Sequence, residues 1–103
     1  MSNYLADVQK YDSTADAAAV DKIVKHLGIA LRSRDASLVS CNDPDELARV
    51  REKWCMKKLG ETDAARCDSA IEKVCETMSA DNTKSRVTFY YLVAKHLDKI
   101  ATL

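Results

Sequence analysis

The 103-residue chain contains only two glycines and one proline. A many-stranded protein needs turn residues at each reversal, so this scarcity argues for helices. Net charge is also missing: 16 Lys and Arg balance 16 Asp and Glu. No overall field therefore draws the molecule to a polyanion or an anionic membrane, and a nucleic-acid role would need a local patch. No run of about 18 apolar residues occurs, and Met1-Ser2-Asn3-Tyr4 opens without a basic stretch leading into an apolar one. The expectation is a cytoplasmic protein with no membrane association. The four cysteines, Cys41, Cys55, Cys67 and Cys75, fall 14, 12 and 8 apart and include no Cys-x-x-Cys or Cys-x-x-His pair. In a reducing cytosol they are expected to be thiols.

What is present suits one small domain. Hydrophobic residues make up 47% of the chain, enough for one core at a length that buries roughly two-thirds of the unfolded surface. Asp43-Pro44-Asp45-Glu46 combines an Asp cap, Pro at the first helical position and Glu three residues after the cap, the pattern of a capping box. Leu47, Val50 and Trp54 follow at helical spacing, Cys55 and Leu59 widen the stripe, and Gly60 supplies a stop, predicting a helix over about 44–59. Thr62 as cap and Cys67, Ile71, Val74, Cys75 and Met78 predict a second over about 63–79. Val20, Ile23, Val24, Leu27 and Leu31 predict one over about 16–31, and Tyr4, Leu5, Val8 and Tyr11 a short one over about 3–11.

The stretch Val87 to Ala94 carries no charge and holds a Phe and two Tyr. Its propensity favours a strand, but the apolar pattern continues through Leu97 and Ile100 without a breaker, too long for one strand. The expectation is a central helix over about 84–101, capped by Asn82 or Thr83 and apolar around more than half its circumference. Arg32 to Asn42 has no clear period: Asp35 is a candidate cap, Leu38 and Val39 point inward, and Ser33, Ser37 and Ser40 read as turn residues.

Ser33-Arg34-Asp35 with Leu38-Val39-Ser40, and Lys84-Ser85-Arg86-Val87-Thr88-Phe89-Tyr90-Tyr91, carry a resemblance over nearly the full length. The chain resembles a family of short bacterial proteins known only as domain of unknown function 2853. The resemblance implies a single-domain, largely helical protein and assigns no catalytic or ligand-binding residue.

An RNA-binding strand platform would want glycine among its aromatics, and Ser85 to Val93 has none. A metal site needs converging donors, but Cys67 and Cys75 on one helix lie about 12 Å apart and His26 and His96 stand alone in sequence. No Gly-x-Ser-x-Gly, His-Glu-x-x-His or phosphate loop is present. Catalytic residues, cofactors and metal are therefore expected to be none.

Charge is patterned locally. Leu47 to Gly60 holds Arg49, Arg51, Lys53, Lys57 and Lys58 against Glu52, while Glu61 to Asp81 holds six acids against Arg66 and Lys73. The plain reading is an antiparallel hairpin whose helices complement each other internally. The alternative is an outward stripe of Arg49, Lys53 and Lys57 beside Met56, offered to a partner.

The sequence thus predicts an all-α domain of four or five helices with Leu47, Val50, Trp54, Ile71, Val74, Phe89, Val93 and Leu97 in the core. Its leading functional expectation is a non-catalytic module binding an unknown protein partner or itself, through Arg49, Lys53, Met56, Lys57, Lys58, Tyr90 and Tyr91. Phosphate contacts through the same basic residues are the alternative, disfavoured by the acidic helix alongside, and a thiol or metal enzyme ranks third.

Overall fold

The uncharged stretch is wound as a helix. In a computed structural model describing residues 4–33, 37–81 and 83–100, α5 spans Arg86–His96, and every residue from Val87 to Ala94 is buried. A helix apolar all round must be enclosed on all sides. Four neighbours enclose this one: α1 (Tyr4–Gln9), α2 (Ala17–Leu27), α4 (Ala64–Thr77), and a π-helical segment (Val50–Lys58) that continues α3 (Pro44–Arg49) without a break. The fold is all-α. The described residues contain no strand, and the radius of gyration of 12.3 Å is that of a compact domain. No described helix is long and apolar enough to cross a membrane.

Helix ends follow local chemistry. Asp16 caps α2 by accepting from Ala18 N at 2.9 Å, and Gly28, at φ +44°, turns the chain into a 3₁₀ turn over Gly28–Arg32, so the regular helix stops short of residue 31. Asp63, not Thr62, caps α4, accepting from Ala65 N at 3.0 Å and Arg66 N at 3.3 Å. At the end of α5, Asp98 takes the left-handed conformation, Lys99 N reaches Ala94 O at 2.8 Å, and Asp98 N reaches Lys95 O at 3.0 Å. These two bonds form a Schellman motif, so the helix closes before Ile100. Of the expected caps for α5, Asn82 lies outside the described residues. Ser85 occupies the cap position without a side-chain bond, and its Oγ is buried with no partner.

The first turn of α5 is satisfied from elsewhere in the chain. Arg86 N donates to Ser37 O at 2.8 Å, Val39 N donates to Lys84 O at 2.9 Å, and Leu38 and Ser85 face each other in an isolated antiparallel bridge. Val39 is buried, as its apolar character demands, while Asp35 lies outside the described residues. The two segments that carry the family resemblance therefore lie side by side.

Of the predicted core, Val50, Trp54, Ile71, Val74, Phe89, Val93 and Leu97 are buried. Leu47 is only half-buried and sits at the edge.

A polar network docks the N-terminal turn on α5. Buried Asp12 accepts from Thr14 Oγ1 at 2.7 Å and from Tyr91 OH at 3.2 Å, and pairs with Lys95 at 3.2 Å. The Thr14 hydroxyl foremost, then its backbone N–H and Lys95, hold this carboxyl below its usual value of 3.8 against the opposing effect of burial. A depressed carboxyl pKa gives stability that is complete above the unfolded value and lost as pH falls through the lower folded one. Asp12→Asn is therefore expected to flatten the acid limb of a stability–pH curve, read by urea denaturation between neutral pH and pH 2, and an acid limb identical to that of the wild type would contradict the role given to this carboxylate.

Candidate functional site

The hairpin formed by α3, the π segment and α4 carries the residues singled out by charge. Asp43 caps α3 by accepting from Asp45 N at 3.0 Å and Glu46 N at 3.4 Å. The reciprocal half of the expected capping box does not form. Glu46 instead turns inward, pairing with Arg49 at 2.9 Å and, in closer contact, with the Arg86 guanidinium of α5. Arg86 also donates to Leu38 O at 3.0 Å and to Tyr90 OH at 3.2 Å.

The π geometry follows from apolar spacing. Val50, Trp54, Cys55 and Leu59 are buried, at offsets of 4, 5 and 9. An α-helix would spread these four positions around its circumference. A ladder closing from residue i to i−5, as Leu59 N to Trp54 O does at 2.9 Å, collects them on one face. Gly60, at φ +75°, ends the segment, and Glu61 N reaches back to Cys55 O at 3.0 Å.

This winding redraws the predicted basic stripe. Lys53, Lys57 and Lys58 are all exposed and make no ion pair with any described residue. Arg49 departs from the stripe because Glu46 holds it. Met56 is half-buried against the core. Lys58 approaches the α2 side, where burial first and its charge second push the His26 imidazole below its usual range. Tyr90 and Tyr91, expected at an interaction surface, are core residues instead at 7% and 3% exposure. Trp54 stacks on Tyr90 at 4.7 Å and donates from Nε1 to Tyr90 O at 3.0 Å, and Tyr91 faces Asp12. The surplus apolar surface assigned to α5 is consumed by packing on four sides.

Internal complementarity of the hairpin is likewise limited. Arg51 crosses to Asp68 on α4 at 3.3 Å, and Arg66 pairs with buried Glu61 at the turn. Glu72 and Glu76 remain exposed and unpaired among the described residues, as do the three lysines.

Between α3 and α4 runs an open groove of about 410 Å³, within the usual range of binding clefts. Leu47, Ala48 and Ile71 form its floor, so the half-exposure of Leu47 belongs to this feature. Arg51, Asp68 and Glu72 form a rim of mixed sign, and Pro44, Cys41 and Cys75 close one end.

Cys41 and Cys75 are joined as a disulfide, with Cα atoms 5.9 Å apart, which corrects the expectation of four thiols. Helical period separates Cys67 from Cys75, but it does not encode the packing of the turn before α3 against the last turn of α4. The bridge spans 34 residues, a loop whose closure removes chain entropy worth about 4 kcal/mol from the unfolded state. Cys55 and Cys67 are free, fully buried and adjacent, the Cys55 thiol donating a hydrogen bond to Cys67 Sγ. Burial above all pushes both thiols up, which leaves them poor nucleophiles. No group of three or more His, Cys, Asp and Glu among the described residues is arranged to hold a metal ion.

No curated protein matches the chain. The sequence profile of the family described as Protein of unknown function (DUF2853) matches residues 3–101, nearly the whole of the chain, and the protein belongs to that family.

Proposed function

We propose that the protein is a non-catalytic self-association module, in which two copies dock through the hairpin of α3, the π segment and α4. The observation that carries this reading is the set of charges the fold leaves uncompensated on the hairpin, Lys53, Lys57 and Lys58 on one arm and Glu72 and Glu76 on the other, together with the apolar groove between α3 and α4 that Glu72 lines. A two-fold interface brings each patch of one copy against the other patch of its partner, so a surface carrying both signs is self-complementary. An apolar centre with a charged rim is also the usual anatomy of such interfaces. Balanced overall charge adds no long-range repulsion between copies.

A phosphate backbone would meet the same lysines, but it would also meet Glu72 and Glu76 one helix away, and Arg49 and Arg51 are already held by Glu46 and Asp68. Self-association therefore accounts for more of the surface. Sedimentation equilibrium provides the test: the wild-type mass rises with concentration toward twice the monomer, and Ala48→Trp, which fills the groove at a half-buried position, returns it to monomer with unchanged circular dichroism. A wild-type protein that stays monomeric to millimolar concentration would refute the reading.

A further inference from the structure

We propose that the Cys41–Cys75 disulfide is a reversible exchange site, open to small thiols through the groove while the protein remains folded. The two cysteine pairs occupy contrasting environments. Cys41 and Cys75 are half-buried and line the open groove, whereas Cys55 and Cys67 have no exposed surface. A nucleophile in solution can reach only the first pair without unfolding.

Breaking the bond does not release either side of it. Upstream of Cys41, Val39 is buried and bonded to Lys84 O at 2.9 Å, and Ser37 O holds Arg86 N at 2.8 Å. Downstream, Asp43 caps α3 and Glu46 is tied to Arg86. Cys75 lies within α4, whose Ile71 and Val74 are buried on the core, as is Met78 at its C-terminal end. The two sulfurs therefore stay neighbours after reduction, so the bridge can re-form.

The surroundings also set the direction of attack. Cys75 lies in the last turn of α4, at the negative end of the helix, with Glu72 and Glu76 nearby in the chain. Cys41 precedes the capped, positive end of the helix formed by α3 and the π segment. Cys41 is thus the better leaving thiolate and Cys75 the sulfur attacked, because exchange is faster when the departing thiol has the lower pKa. A thiolate RS⁻ bonds to Cys75 Sγ, the S–S bond breaks, and its electron pair leaves on Cys41 Sγ. A second thiol then attacks the mixed disulfide, releasing RSSR and the Cys75 thiolate. Two thiols are oxidised to one disulfide, and the protein disulfide is reduced to two thiols.

This chemistry does not depend on self-association, but a paired copy would cover the groove. The test therefore uses full-length protein diluted to the concentration at which it sediments as a monomer. Cysteamine is the probe, since its ammonium group suits the carboxylates beside Cys75. Without denaturant, the expected result is a gain of two alkylatable sulfurs, at Cys41 and Cys75, while Cys55 and Cys67 stay unlabelled and helical circular dichroism is retained. Quenching early with N-ethylmaleimide should trap cysteamine on Cys75 and the maleimide on Cys41. The proposal is overturned by a bridge that resists cysteamine until denaturant is added, by labelling of Cys55 and Cys67 in step with the other pair, or by trapping of the adduct on Cys41.

Discussion

Trp54→Ala is expected to lower the unfolding free energy by about 3–5 kcal/mol, the cost of removing a large, fully enclosed aromatic. Trp54 has no exposed surface. Its ring lies between His26, at 5.3 Å, and Tyr90, at 4.7 Å, and its Nε1 donates to the Tyr90 carbonyl at 3.0 Å. The deletion leaves a cavity where the π segment, α2 and α5 meet. Trp54→Phe keeps most of the volume and loses the hydrogen bond, for a smaller cost of about 1–2 kcal/mol. Urea denaturation followed by circular dichroism separates the two variants. An alanine variant within 1 kcal/mol of wild type, as an order-of-magnitude limit, would mean that the ring is not enclosed.

Arg86→Met is expected to cost about 2–4 kcal/mol, toward the lower end for breaking a buried ion pair because both side chains keep some access to water. Arg86 joins Glu46 of α3, the Leu38 carbonyl and the Tyr90 hydroxyl. Removing it leaves the Leu38 carbonyl without that donor and Glu46 with Arg49 alone. Much of the loss is then the stranding of polar groups. Pairing it with Glu46→Leu should therefore cost less than the sum of the two single changes, a coupling that a double-mutant cycle measures. Strict additivity would show that the two side chains do not interact.

Segments whose fate depends on local pattern were legible from sequence. The uncharged run at α5 reads as a buried helix because its apolar residues cover more than half of the circumference and no second segment alternates to pair with it. Asp43, Pro44 and Gly60 mark their helix ends by their own stereochemistry. Contacts between distant segments were not legible. Glu46 has the spacing of a capping-box residue, but a guanidinium 40 positions away competes for it and wins. The bridge from Cys41 to Cys75 depends on how the turn before α3 lands on α4, which no helical period encodes. The aromatic pair Tyr90 and Tyr91 looked like surplus surface only because the number of elements packed on α5 is a property of the assembled fold.

The π segment is an intermediate case. Its signal was present in the offsets of 4, 5 and 9 that separate Val50 from Trp54, Cys55 and Leu59. Read with an α period, the last two only widen a stripe. Read with a longer one, they align, and Lys53 and Lys57 fall together on the opposite, solvent side. The winding thus groups the charges from which self-association is argued. A π-helix of 9 residues is also far longer than the single-turn bulges in which this geometry usually occurs.

Charge reversal in two separate chains tests that argument most directly. One variant carries Glu72→Lys, the other Lys53→Glu with Lys57→Glu, and each is examined alone and mixed in equal amounts by sedimentation equilibrium. Each alone places like charges opposite each other at both symmetric contacts and is expected to remain monomeric, while the mixture restores opposite charges at both and recovers the dimer. A mixture that sediments as the sum of its parts, or single variants that associate as well as the wild type, would contradict pairing through this hairpin.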